Sequence, residues 1–210
     1  MSASAAHLLT RDRPRAQLAR PFLGDLTLET ARAHEICGPA RRTLALIIAA
    51  SLEGPVFWIS PAWNVNRLNP EGVDGFINPG RLTFIEPERA ADLLWCCEEV
   101  LRAGVVPLVV GDLPGPPALT PVRRLHLAAE TGAARGVAPL CLLLSPGEGG
   151  AAGIETRWHM APRAEAPHWH LKRLRARALA PKEWGVSRQR ELVALPKSDA
   201  PRAKETVTLR

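Results

Sequence analysis

Between Ala33 and Ser145 short apolar runs alternate with longer amphipathic ones. Ala33–Cys37 is a short run that stops at Gly38-Pro39, and Thr43–Glu53, rich in Ala, Leu and Ile, has the length and composition of a helix. Pro55–Ser60 and Arg81–Ile85 have the β-branched and aromatic content of buried strands. Glu86-Pro87-Glu88 places acid and proline where a helix begins, and Leu93, Leu94, Cys97, Val100 and Leu101 then fall on one face until Gly104 ends it. Val105–Gly111 is a continuous apolar run of the kind covered on both faces of a sheet, with Pro107 at its entrance. A Pro- and Gly-rich loop over Leu113–Ala118 leads to a helix over Thr120–Arg135, expected to be capped by Thr120, and Pro139–Leu144 is the next buried run. Strands alternating with helices predict an α/β fold with a mainly parallel central sheet. After Ser145 the pattern changes to a Gly-rich loop and three short mixed runs, Glu155–Met160, His168–Arg177 and Trp184–Arg188, which read as antiparallel strands on the sheet's edge. The expected organisation is an N-terminal arm over 1–30, a domain over 31–195 whose basic strands begin near 155, and a disordered tail over 196–210.

Composition narrows this picture. The 210 residues are 46% hydrophobic and 23% charged, which suits one globular domain. The longest apolar run, Thr43–Leu52, is shorter than the roughly 20 residues that a bilayer requires, and the first 20 residues lack the apolar segment of a secretory signal. No membrane partner is expected. Cys37, Cys96, Cys97 and Cys141 lie in apolar segments without metal or redox spacing, so a reducing cytoplasm is the expected compartment. The net charge of +6 is unevenly spread: +3 over residues 1–20, −5 over 21–156 and +8 over 157–210. A basic end on an acidic body points to an anionic partner, nucleic acid or an acidic protein face.

Two strand ends bear residues suited to a ligand site, since open parallel sheets bind ligands beyond the carboxyl ends of their strands. One is Gly38-Pro39-Ala40-Arg41-Arg42-Thr43; the other is Asp112, directly after LVVG. A phosphate-binding loop uses glycine for close backbone approach, a lysine for phosphate charge and Ser/Thr for magnesium, with an Asp on a neighbouring strand.

On these two blocks, HEICGPARRTLALIIAA and AGVVPLVVGDLPGPPALTP, the chain resembles the RecA superfamily over roughly residues 33–160. Within it, the short length, the HEI-x-G opening and the basic segment starting at Thr156-Arg157-Trp158 look most like ImuA-type proteins. The resemblance implies a RecA-like three-layer domain and a degenerate nucleotide site at Gly38, Arg41, Arg42, Thr43 and Asp112. The G-x-x-x-x-G-K-[ST] pattern is shortened and lacks its second glycine and its lysine. No carboxylate follows PVFWIS in the place of the catalytic one. The expectation is therefore no catalytic residue, no enzyme activity and no cofactor, with residual ATP and magnesium binding as an alternative. The implied function is accessory: bridging DNA, a Y-family-like polymerase homologue and an error-prone replicative-type polymerase in SOS mutagenesis. The rival readings are a residual ATPase and a SulA-like division inhibitor that binds a tubulin-like protein.

The basic cluster is the candidate DNA- or partner-binding surface. If His168–Arg177 is a strand, Arg173, Arg175 and Arg177 share a face that Trp169 and Leu171 continue, with Lys172 beside them. Guanidinium groups next to an indole suit a phosphate backbone and a stacked base. Trp58 and Trp95 read as core; Trp63, Trp158, Trp169 and Trp184, in loops or short strands, are better candidates for the surface, although core is still the favoured reading for each. His168 and His170 lack a third ligand, so no metal site is expected. Gly147–Gly153 stands where RecA presents a DNA-contacting loop, yet it carries one acid and no base and reads as a connector.

Overall fold

The computed structural model describes residues 19–195. The expected disorder beyond Pro196 and most of the expected arm lie outside these residues. The described chain runs β1 (Ala19–Leu23), β2 (Leu26–Glu29), β3 (Arg32–Cys37), α1 (Arg41–Ala50), β4 (Val56–Ile59), α2 (Pro70–Asp74), β5 (Leu82–Ile85), α3 (Ala90–Ala103), β6 (Leu108–Asp112), α4 (Leu119–Arg135), β7 (Leu140–Leu144), β8 (Thr156–Pro162), β9 (Trp169–Ala176), β10 (Lys182–Val186) and β11 (Leu192–Val193). Nine strands form one sheet in the order β11-β10-β9-β8-β3-β7-β6-β4-β5. The pairings from β8 through β3, β7, β6 and β4 to β5 are parallel, and those among β8, β9, β10 and β11 are antiparallel.

Burial explains the layering. β6 and β7 are buried at every position, as a strand covered on both faces must be. α1 packs Leu44, Ile48 and their neighbours on one face with Ile36, Val110 and Leu142, while α3 and α4 cover the other with Cys97, Leu101, Val122 and Leu125. α3 and α4 approach closely at glycine: a Cβ on Gly132 would lie 2.1 Å from the Leu101 carbonyl oxygen. Gly104 ends α3 in the left-handed conformation, as its position in the sequence predicts.

Several expectations change. Of the expected arm, the described residues 19–30 carry β1 and β2, which pair as a hairpin, and Phe22, Leu23, Leu26 and Leu28 join the core on the α1 side. α3 begins at Ala90 rather than at Glu86-Pro87-Glu88, because Arg89 is extended and its guanidinium grips Asp92 one turn on. Thr120 is inside α4; the N-cap is Ala118, with no side-chain cap. Trp95 is 56% exposed rather than core, and Trp158 is 1% exposed.

A directional chain of hydrogen bonds ties the hairpin to the sheet. The Glu29 carbonyl can only accept, so His34 Nε2 donates to it at 2.8 Å. The other ring nitrogen is left to accept from Thr156 Oγ1 at 2.8 Å, and that hydroxyl accepts from Trp158 Nε1 at 2.8 Å. Burial pushes the His34 pKa down from 6.5 to about 4. A folded value below the unfolded one makes protonation oppose folding, so stability is full above pH 6.5 and declines as pH falls towards 4. The expected loss is roughly 3 kcal/mol, read as a urea midpoint against pH, and His34→Gln should flatten that part of the profile.

Candidate functional site

The turn after β3, the end of β6 and the loop after β4 meet at the carboxyl end of the sheet, with β7 between β3 and β6. Together they frame an open cleft of about 620 Å³ and, behind it, a smaller chamber of about 160 Å³ against Trp58, Ser60 and Phe84. The turn needs its glycine. Gly38 sits at φ +88°, and a Cβ there would lie 2.5 Å from the Met160 carbonyl oxygen and 2.7 Å from His159 Nε2.

The candidate nucleotide residues do converge, but on each other. Arg42 Nε and Nη2 both lie 2.6 Å from Asp112 Oδ2, and Arg41 Nε is 3.9 Å from Oδ1 of the same carboxylate. Asp112 is 3% exposed, so this ion pair is partly desolvated and its geometry is tight. Both Arg42 contacts fall on Oδ2, so a metal ion at this carboxylate would meet the guanidinium charge beside it. Three backbone donors of the turn are engaged too: Gly38 N–H donates to Gly147 O, Ala40 N–H to Met160 O and Arg41 N–H to Gly38 O. Pro39 has no N–H to offer. Thr43 stands half-buried in the first turn of α1.

Sequence reasoning missed the clamp beside this turn. Glu35, fully buried on β3, accepts from the amides of Gly150 (2.9 Å) and Ala151 (3.0 Å) and from Arg157 Nε (2.5 Å). Arg157 also donates from Nη2 to the Ala151 carbonyl. The Gly-rich loop is thereby pinned across the end of the sheet, with Gly149 packed against the Glu35 carboxylate. The available signal was a carboxylate in the middle of the short run Ala33–Cys37, since a buried carboxylate requires paired donors. Next to it, Cys37 is pushed up to about 12 by burial and by Glu35, which keeps the thiol protonated. Cys141, buried, is also pushed up to about 12.

The basic strand differs from the expected row. Along β8 and β9, Trp158 pairs with Arg173 but Arg157 pairs with Arg175, so Leu174 is an extra residue in a β-bulge. The bulge breaks the period of two and moves Arg175 to the opposite face from Arg173. Trp169, Leu171 and Arg173 face the α1-side core. The Arg173 guanidinium lies 5.7 Å from the Trp158 ring centroid and 5.4 Å from that of Trp184, and it donates to the Ala180 carbonyl. Burial lowers its pKa. Arg177, beyond the strand, is 3.4 Å from a Glu155 oxygen. The opposite face presents Arg175, which is exposed, and Lys172, whose ammonium is 3.4 Å from Glu183. His170 Nε2 is 2.8 Å from the other oxygen of that carboxylate. The expected cluster therefore divides into an aromatic-packed arginine and a smaller exposed basic face.

Among the described residues, no three His, Cys, Asp or Glu side chains cluster to hold a metal, and no helix is long and apolar enough to cross a membrane. The chain matches no protein-family model, and no curated protein is significantly similar to it in sequence.

Proposed function

We propose that this chain is a non-catalytic, RecA-like accessory protein of the ImuA type, assisting error-prone lesion bypass by bridging DNA and polymerase-type partners. The observation that carries the non-catalytic part is the Arg42–Asp112 pair. It neutralises the carboxylate that would serve magnesium, beside a turn in which three amides already donate within the fold. An α/β sheet that brings the Gly38 turn and Asp112 together across one strand is consistent with the RecA-like part. The bridging part rests on the resemblance and on the exposed basic face of β9, where Lys172 and Arg175 supply sequence-independent attraction for phosphates.

Asp112→Ala tests the site. With its partner removed, Arg42 is left partly buried and unpaired, and the fold should lose about 1–3 kcal/mol. A working magnesium site would behave differently: nucleotide binding and orthophosphate release would be present in the parent protein and vanish in the variant. Bridging is tested by mixing the chain with both polymerase types and a primed template, without nucleotide, and following a joint complex by gel filtration. Lys172→Glu with Arg175→Glu should weaken DNA retention and lower the slope of log affinity against log salt by about one for each phosphate that is no longer neutralised. Nucleotide-dependent assembly, or DNA retention indifferent to both substitutions, refutes the corresponding part.

A further inference from the structure

We propose that the cleft over the Gly38 turn is a docking groove for an extended acidic–apolar peptide segment of a partner protein. The proposal rests on the accessory reading above and deepens it by naming the partner's chemistry. Charge is the first argument. Arg67 is matched by Glu86 at 2.9 Å, and Arg42 takes Asp112, which leaves Arg41 as surplus positive charge. Its side chain is 24% exposed in the cleft, donates from Nη1 to the Gly38 carbonyl at 3.5 Å and shares Asp112 with Arg42 at the longer distance of 3.9 Å, so three guanidinium groups face two carboxylates. Arg41 stands at the start of α1, which begins with no capping side chain and no acidic residue in its first turn. The site is therefore complementary to a single carboxylate.

Shape and apolarity supply the second argument. Trp63 is 51% exposed and Val65 90% exposed, both on the loop that forms one wall. The same cleft is lined by Pro39, Pro61, Pro114 and Pro146, one after each of four strand ends. Proline walls lose little freedom when a ligand settles, and an exposed indole is a ready anchor for an apolar side chain. The volume falls in the range of roughly 300–1,000 Å³ usual for ligand clefts. A nucleotide is disfavoured because three of the turn's amides and Asp112 are already engaged. A nucleic-acid backbone is disfavoured because the cleft has one unmatched cation beside an apolar wall, not a row of them.

Fluorescence anisotropy with a fluorescein-labelled peptide of alternating aspartate and leucine tests this. The parent protein should bind it saturably, and an alternating lysine–leucine peptide should not bind. Arg41→Ala and Trp63→Ala should each weaken binding roughly fivefold or more. Arg135→Ala, exposed at the C-terminal end of α4, should leave it unchanged. Trp63 lies in an exposed loop, so that variant should melt with the parent and give an interpretable result even if Arg41→Ala proves unstable. No binding by the parent, affinity unchanged in the Trp63 variant, or displacement of the peptide by magnesium–ATP or oligo(dT) overturns the proposal. In that event, a joint complex with DNA and polymerase would still uphold the accessory reading, with the partner seated elsewhere.

Discussion

Replacing Glu35 by alanine should destabilise this protein by about 3–5 kcal/mol, the cost of breaking a buried ion pair from one side. The substitution strands Arg157 against the sheet and leaves the amides of Gly150 and Ala151 without the acceptor that holds them. It should also release the Gly-rich loop, and the Gly38 amide should lose its partner at Gly147. Hydrogen exchange at Ala151 and Gly38 reads the release, and a urea midpoint reads the stability. Glu35→Gln keeps the acceptor oxygen but not the charge, so its loss should be smaller, about 1–3 kcal/mol. Pairing Glu35→Ala with Arg157→Ala should recover part of the loss. Additive single effects would show that the clamp is not a unit.

The second large effect is expected at Trp158→Ala, about 3–5 kcal/mol for emptying a fully buried indole site. This side chain joins three parts of the structure. Its ring meets Phe22 of the hairpin edge-to-face at 5.4 Å, it lies beneath the Arg173 guanidinium, and its Nε1 starts the chain of hydrogen bonds to His34. Its removal should lower exchange protection in β1 and β2 more than in β6 and β7. Trp158→Phe retains apolar bulk but loses the donor to Thr156, and its effect should fall between parent and alanine variant. Uniform loss of protection across the sheet would refute the idea that Trp158 anchors the hairpin in particular.

Much of the fold was legible because its signals are local. Runs such as LVVGD and LCLLL have no polar face, so only a strand covered on both sides suits them, and they lie at the middle of the sheet. Gly104 is readable as a helix end because its left-handed conformation favours glycine. The hairpin was not legible. Phe22, Leu23, Leu26 and Leu28 form two short strands that only the distant Trp158 and α1 make into core. The Arg173–Arg177 row misled for a related reason: a period of two assumes an uninterrupted ladder, and a bulge is a property of two strands together. At the site, the turn and Asp112 were found in the sequence, but their mutual neutralisation was not.

The pattern of apolar runs alone determined that this chain builds an α/β sheet with parallel strands at its centre, because short stretches without a polar face must be enclosed from both sides. The order of residues also placed a glycine turn and an aspartate at strand ends. Tertiary structure alone decided what those groups do. Arg42, 70 residues before Asp112 in sequence, is brought within 2.6 Å of it only by the crossover of α1. Charge in a partly desolvated cleft is set by its neighbours in space, and those neighbours depend on which strands lie side by side.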